Sequence, residues 1–336
     1  MTMLAYASKK QGFIAVLALA LVWLSALILS KGSNFFHQNS PNAKIGDELI
    51  DVPNETLDNV GLLASNPLRP LILYAYKESE NARENIKFFL SQGLHGAADF
   101  IFILNGETDI AELIPEAENI RIIRRPNTCF DLGAFGEVLR GDNLWKNYKR
   151  FITMNASLRG PFLPYWSNRC WSDAYLERLT EDVKLVGMAV NCAPQAHVQS
   201  MIWATDDVGM DILLDPPASA STPDAWGTVN DTVAFGGCYT EFNKAIHAEI
   251  GATAAIRNAG YAISAMMSAF QGMEYIEQCD KHPVDLLFNG NYFGTNIHPY
   301  ETMFIKANRN IDPVTLDLLT SLHLSKGEGR SWELCR

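Results

Sequence analysis

Between residues 68 and 155, short apolar runs alternate with stretches whose apolar residues recur at helical spacing. "RPLILYAY", "ADFIFILNG", "NIRIIRRPN" and "YKRFITMNAS" read as strands; "ENARENIKFFLSQGL", "TDIAELIP" and "FDLGAFGEVLRG" read as helices between them. Connections of helical length leave room for crossovers, so successive strands can run in the same direction. The strand-like runs are almost continuously apolar, the pattern of strands covered on both faces. The chain is therefore expected to be α/β, with a mostly parallel sheet and helices on both faces.

Further along, "DAYLERLTED" reads as a helix, "VKLVGMAVNC" as a strand, and "HVQSMIWATDDVGMDILL" as strand, turn and helix. Residues 215–232 are loop-like. "EFNKAIHAEIGATAAIRNAGYAISAMMSAF" reads as mainly helix with Gly260 as its C-cap. Its methionines are read as core packing. The tail is turn-rich and then strand-like.

The N-terminus sets the organisation. Residues 13–30, "FIAVLALALVWLSALILS", carry no charge and would span roughly 27 Å as a helix, enough for a bilayer core. The run is longer than the apolar region of a cleaved signal peptide, and "LILSKGS" is a poor cleavage site. Lys9 and Lys10 before it, against Lys31 just after, favour a cytosolic N-terminus. The expected layout is a cytosolic tail (1–12), a transmembrane signal anchor (13–30), a stem rich in Asn, Ser, Pro and Gly (31–67) and a lumenal domain (68–336). That layout would make it a single-pass type II protein of the Golgi or ER membrane.

Cys129, Cys170, Cys192, Cys238, Cys279 and Cys335 all follow the anchor, and none forms a CxxC pair, which argues against a zinc site. A lumenal compartment permits disulfides; spacing alone assigns no pairing and leaves buried free thiols open. Asn54-Glu55-Thr56 and Asn230-Asp231-Thr232 are candidate glycan acceptors, which would make this a glycoprotein. Asn155-Ala156-Ser157 fits the same pattern, but a strand end deep in a domain is a poor place for a glycan.

The formal net charge is 27 − 38 = −11. An acidic chain without basic clusters argues against a nucleic-acid partner. There is no Gly-rich phosphate loop, no G-x-S-x-G elbow and no H-E-x-x-H. In an open parallel sheet, ligands bind at the C-terminal ends of the strands. The polar residues placed there are Tyr76, Lys77, Glu78, Asn105, Arg125, Asn127, Asp131, Asn155, Ser157, Arg159, Asn191, Thr205, Asp206 and Asp207. Read alone, Asn155 and Arg159 could equally satisfy backbone groups at a turn, and Asn127 or Thr128 could cap a helix that has Asp131 at its positive end.

The segments "RRPNTCFDLGAFGEVL", "FITMNASLRGPFLPYW", "VKLVGMAVNC", "HVQSMIWATD" and "GNYFGTNIHPYETMFIKANR" give the chain a resemblance, over about residues 68–320, to a family of uncharacterised glycosyltransferase-like proteins. That family is similar in turn to rhamnan-synthesis F-type proteins and to the GT-A (nucleotide-diphospho-sugar transferase) fold. The resemblance implies transfer of a sugar from a nucleotide-sugar donor to a glycan or glycoconjugate acceptor. A catalytically inactive lumenal glycan-binding or scaffolding protein of the same fold is the alternative, because the strand that usually ends in Asp-x-Asp ends here in Asn155-Ala156-Ser157. Asn and Ser are weak ligands for a hard cation. The reading favours metal independence, with Arg159, Arg125 or Lys306 neutralising the diphosphate; a divalent metal, if used, would sit on Asp131. The resemblance places Asn127, Asp131, Asn155, Ser157, Arg159, His298 and Glu301 around the donor. An inverting transferase needs a general base; the candidates are Glu249, which the resemblance favours by its position, Asp207, Asp206 and Glu301.

Overall fold

The computed structural model describes residues 66–217, 223–271, 275–327 and 329–336. The anchor segment 13–30, the tail, Asn54 and nearly all of the stem lie outside the described residues. Among the described residues, no helix is long and apolar enough to cross a membrane.

The strands are β1 (Leu71–Lys77), β2 (Asp99–Asn105), β3 (Ile120–Arg125), β4 (Arg150–Asn155), β5 (Leu158–Arg159), β6 (Val183–Gly187), β7 (Val190–Asn191), β8 (His197–Val198), β9 (Ile202–Asp206), β10 (Ala262–Ala265) and β11 (Ile305–Lys306). The helices are α1 (Glu80–Gln92), α2 (Asp131–Arg140), α3 (Trp171–Leu176), α4 (Asp207–Leu214), α5 (Phe242–Asn258), α6 (Tyr275–Lys281), α7 (Pro299–Thr302), α8 (Pro313–Ser325) and α9 (Arg330–Leu334).

The main sheet has seven strands in the order β10-β6-β9-β4-β1-β2-β3. All its neighbours pair in parallel except at β9, which is antiparallel to both β4 and β6. The expected mixed α/β architecture with a mostly parallel sheet is therefore present, with one reversed strand. Side chains of β1 alternate between two cores. Ile72, Tyr74 and Tyr76 join Phe88 and Phe89 of α1 and Trp171 of α3 on one face. Leu71, Leu73 and Ala75 join Leu132 and Phe135 of α2 and Trp203 on the other. Burying each such large apolar side chain contributes about 1.5–3 kcal/mol, which fixes the register of the central strands.

Local chemistry explains the two helices that flank the site. Ser79 starts α1 by accepting from the backbone N–H of Ala82 at 3.1 Å. The cap residue of α2 is Phe130, with no side-chain cap bond, rather than the Asn127 or Thr128 the sequence offers. This helix packs very closely: a Cβ on Gly136 would lie 2.3 Å from the Phe235 carbonyl oxygen, so the glycine is a contact requirement.

Several sequence expectations change. "TDIAELIP" yields a short 3-10 turn, Ile110–Leu113. "VKLVGMAVNC" breaks into β6 and β7. The long helix ends at Asn258, Gly260 turns at φ +90°, and β10 occupies ground read as helix. Among the described residues of the tail, the strand content is the two-residue β11 and an isolated bridge between Tyr292 and Thr295, with α7 before β11 and α8 and α9 after it. All six cysteines pair: Cys129–Cys238, Cys170–Cys335 and Cys192–Cys279.

Candidate functional site

Neighbouring strands β1 and β4 are the point where strand order reverses: the chain leaves β1 toward β2 and β3, and leaves β4 toward the other flank. Such switch points open a crevice at the carboxyl edge of the sheet. A cleft of about 450 Å³ lies there. Its floor is Ala75 of β1 with Asn155, Ala156 and Ser157. Its walls are the first turns of α1 and α2, one face of α5, the Ser200-Met201 entry to β9, and Lys306 and Asn308.

Asn155 organises the floor. Its amide nitrogen donates to Oδ2 of Asp131 at 2.5 Å. Its carbonyl oxygen accepts from the Ser157 N–H at 3.0 Å and the Ser157 hydroxyl at 2.6 Å. The side chain is thus locked in one orientation by three bonds. Burial pushes the Asp131 carboxyl above its ordinary value; the Asn155 amide and Lys306 oppose that shift, and Glu249 adds to it. Glu249, on the cleft face of α5, accepts the Ser200 N–H at 2.8 Å, and His197 Nε2 stands 3.9 Å from the same oxygen. Lys306 makes no ion pair or hydrogen bond with a described residue through its ammonium. Burial lowers its pKa, while Glu249 and Asp131 are among the charges that hold the proton on.

The cleft therefore brings together Lys77, Glu78, Asp131, Asn155, Ser157, Glu249 and Lys306 from the residues the sequence singles out. The other residues lie elsewhere. Asp207 and Asp206 sit at the opposite edge of the sheet, because β9 is reversed and Asp206 pairs with Arg150, the first residue of β4. Asp207 pairs with Lys149, and Asp206 with Lys184 while capping α4 through Gly209. Arg159 is buried and spent on α1: Nε donates to Asn85 at 2.8 Å and Nη2 to Glu84 at 2.7 Å. Arg125 is likewise held by Asn105 and Glu137. Asn127 is exposed on the loop after β3 and does not line the cleft. His298 caps the short α7, donating nothing to the cleft and accepting from the Tyr300 N–H. Glu301 accepts from the Ser268 N–H and the Tyr292 hydroxyl. Glu249 lies within α5, inside the segment the sequence reads as helix.

Phe130, Ser79, Ser200 and Phe242 line the cleft without having been picked out as site residues from the sequence. Ser79 had a signal, as a Ser just ahead of a helical pattern; the others are placed only by packing.

The donor set bears on a divalent cation. The strand end offers no carboxylate, and the Asn155 carbonyl is already occupied. The cleft's carboxylates are Asp131, Glu249 and Glu78, the last already paired with Arg83, and Lys306 shares the space, a set that does not fit an Asp-x-Asp clamp on six oxygens. Among the described residues, His95, Cys170 and Cys335 do converge, but both sulfurs belong to a disulfide and offer no thiolate.

No family model matches the chain, and no curated protein matches it. Among solved structures it is similar to a cytidylyltransferase from Leptospira borgpetersenii serovar Hardjo-bovis, with a TM-score of 0.27 and 10% identity over 44% of this chain. The match spans 63% of that chain, so less than two thirds of the cytidylyltransferase has a counterpart here.

Proposed function

We propose that the protein is a glycosyltransferase that moves a sugar from a nucleotide-sugar donor to a glycan or glycoconjugate, on a GT-A-like fold and without a protein-held divalent metal. The observation that carries this reading is the cleft at the β1/β4 switch point, where Asp131, Asn155 and Glu249 share one space with Lys306. The first turns of α1 and α2 border the same space, and helix N-termini attract phosphate. Lys306 and those amides would receive the diphosphate, whose negative charge grows as the leaving group departs. Asp131, oriented by Asn155, would bind hydroxyls of the donor sugar. Glu249 would take the proton of the acceptor hydroxyl. That oxygen then bonds to the anomeric carbon, the carbon–phosphate oxygen bond breaks, and the nucleoside diphosphate leaves with the electron pair.

The same proposal places the chain in the Golgi or ER membrane through residues 13–30, with its catalytic domain lumenal. Three disulfides, with all six cysteines after the anchor segment, support an oxidising compartment. Asn230 is exposed and accessible to glycosylation. The inactive glycan-binding alternative is favoured by the missing acidic pair alone.

The test is thermal unfolding of the detergent-solubilised full chain with UDP-, GDP- and dTDP-sugars, with and without Mn²⁺. A donor at a hundred times its Kd stabilises by about 2.7 kcal/mol. Stabilisation by one donor class without Mn²⁺, with donor turnover lost in Asp131→Asn, is the expected result. The absence of any shift with every donor would sink the transferase.

A further inference from the structure

At the mouth of the cleft, Phe130 and Phe242 are 38% and 67% exposed. Their ring centroids lie 6.2 Å apart with the planes tilted at 55°. They belong to different segments, and those segments are fastened together. Cys129, the neighbour of Phe130, is bonded to Cys238, and the Phe130 N–H donates to the Tyr239 carbonyl at 3.0 Å. The pair is thus a rigid two-ring corner built into the rim.

The rings are continuous with the chemistry inside. On α5, Phe242, Ala245, Ile246 and Glu249 all line the cleft, at the i, i+3, i+4 and i+7 spacing of one helical face. From Phe242 to Glu249 is two turns, about 10 Å along the axis. A ligand lying on this face meets an aromatic corner outside, a small apolar floor next, and a carboxylate at its inner end. No charged group is contributed to this strip before Glu249. The Phe242 end of this strip therefore offers no charge to a diphosphate and is suited to the C–H face of a pyranose, which packs on the electron-rich face of an aromatic ring.

We propose that Phe130 and Phe242 form an acceptor subsite that stacks the sugar next to the reacting one, so that the acceptor is an oligosaccharide or glycoside rather than a monosaccharide. The subsite rests on the transferase reading for its meaning, because Glu249 is what makes the inner end reactive. The acceptor's reacting hydroxyl reaches Glu249 while its second unit lies against the two rings.

The experiment uses full-length protein in detergent and saturation-transfer NMR with cellobiose, lactose and chitobiose, each beside its constituent monosaccharides. UDP-induced thermal stabilisation is measured on the same samples. At least one disaccharide is expected to receive saturation on the C–H protons of one ring face and to bind about tenfold more tightly than its monosaccharides. Phe242→Ala and Phe130→Ala each weaken it about tenfold, Phe242→Trp retains it, and UDP stabilisation is unchanged in the two Phe242 variants. Phe242 is largely exposed, so its truncation leaves the core intact. The proposal is overturned if no disaccharide receives saturation at millimolar concentration, or if Phe242→Ala removes the UDP effect and leaves the saccharide signal. Saccharide binding through the rings without any nucleotide effect in the wild type would sustain the subsite and end the transferase reading instead.

Discussion

The amide of Asn155, at the end of β4, donates to the carboxylate of Asp131, the first residue of α2, at 2.5 Å. This bond joins a strand end to a helix start across the floor of the cleft. It replaces the carboxylate that the resemblance would put at the same strand end with a neutral donor aimed at a carboxylate from another segment. Asn155→Ala would leave Asp131 Oδ2 and the Ser157 N–H without their partner. Leaving such groups unpaired costs about 1–3 kcal/mol. Urea unfolding checks this; an unchanged midpoint would show that the bond does not hold the floor.

Asp131 itself is held at some expense to stability. Its carboxyl is raised above the ordinary value, chiefly by burial. The folded state therefore binds its proton more tightly than the unfolded chain, and stability falls as pH rises from the ordinary carboxylate range through the raised value. Asp131→Asn should melt higher than wild type at neutral pH, with the difference vanishing in acid, while donor turnover drops roughly 10²–10³-fold. Melting curves at several pH values, paired with donor hydrolysis, read both effects.

Lys306 and Arg159 make a contrasting pair. Lys306 faces the cleft without a bonded partner among the described residues, whereas Arg159 is bonded to Glu84 and Asn85. Lys306→Met should weaken UDP binding by the worth of a charge-assisted bond, about 1.5–3 kcal/mol, with little change in melting temperature. Arg159→Met should lower stability by a similar roughly 1.5–3 kcal/mol and leave UDP affinity nearly unchanged. Titration calorimetry and melting on both variants decide the assignment; the reverse pattern would return Arg159 to the site.

His95 sets an acid limit. It is fully buried, Nε2 lies 3.2 Å from the Ser172 hydroxyl, and burial pushes its pKa down to about 3, with Arg69 adding a smaller effect. The unfolded chain takes up this proton near pH 6.5, so stability is lost as pH falls from there toward the folded value. At pH 5 the loss is about 2 kcal/mol. His95→Gln should show a correspondingly smaller stability difference between pH 7 and pH 5 in urea unfolding.

The Cys129–Cys238 bridge closes a sequence separation of 109 residues beside Phe130 and Asp131. Replacing both cysteines by Ser should cost about 2–5 kcal/mol and loosen the rim. Hydrogen exchange at residues 128–134 and 236–242 should rise while that of β1 and β2 stays low.

How much of this was legible depended on the range of the interaction concerned. The first four strands, α1 and α2 were readable because "LILYAY" or "FIFILN" can be buried on both faces and because the apolar residues of "ENARENIKFFLSQGL" recur at helical spacing. β10 was not, since "AISA" is a short edge strand in a run whose Ala and Ser also suit a helix. Strand direction was hidden too: nothing in "IWATD" marks β9 as reversed, yet that reversal carries Asp206 and Asp207 to the far edge.

The sequence by itself determined the apolar alternation, hence the layered α/β architecture, and the polar character of the strand ends, because burial and propensity act residue by residue. The tertiary structure decided which polar ends meet. Asp131 reaches Asn155, Arg159 turns away to Glu84, and Phe130 finds Phe242 across a disulfide. Those pairings depend on strand order, strand direction and side-chain competition between segments far apart in the chain, for which spacing along the chain carries no signal.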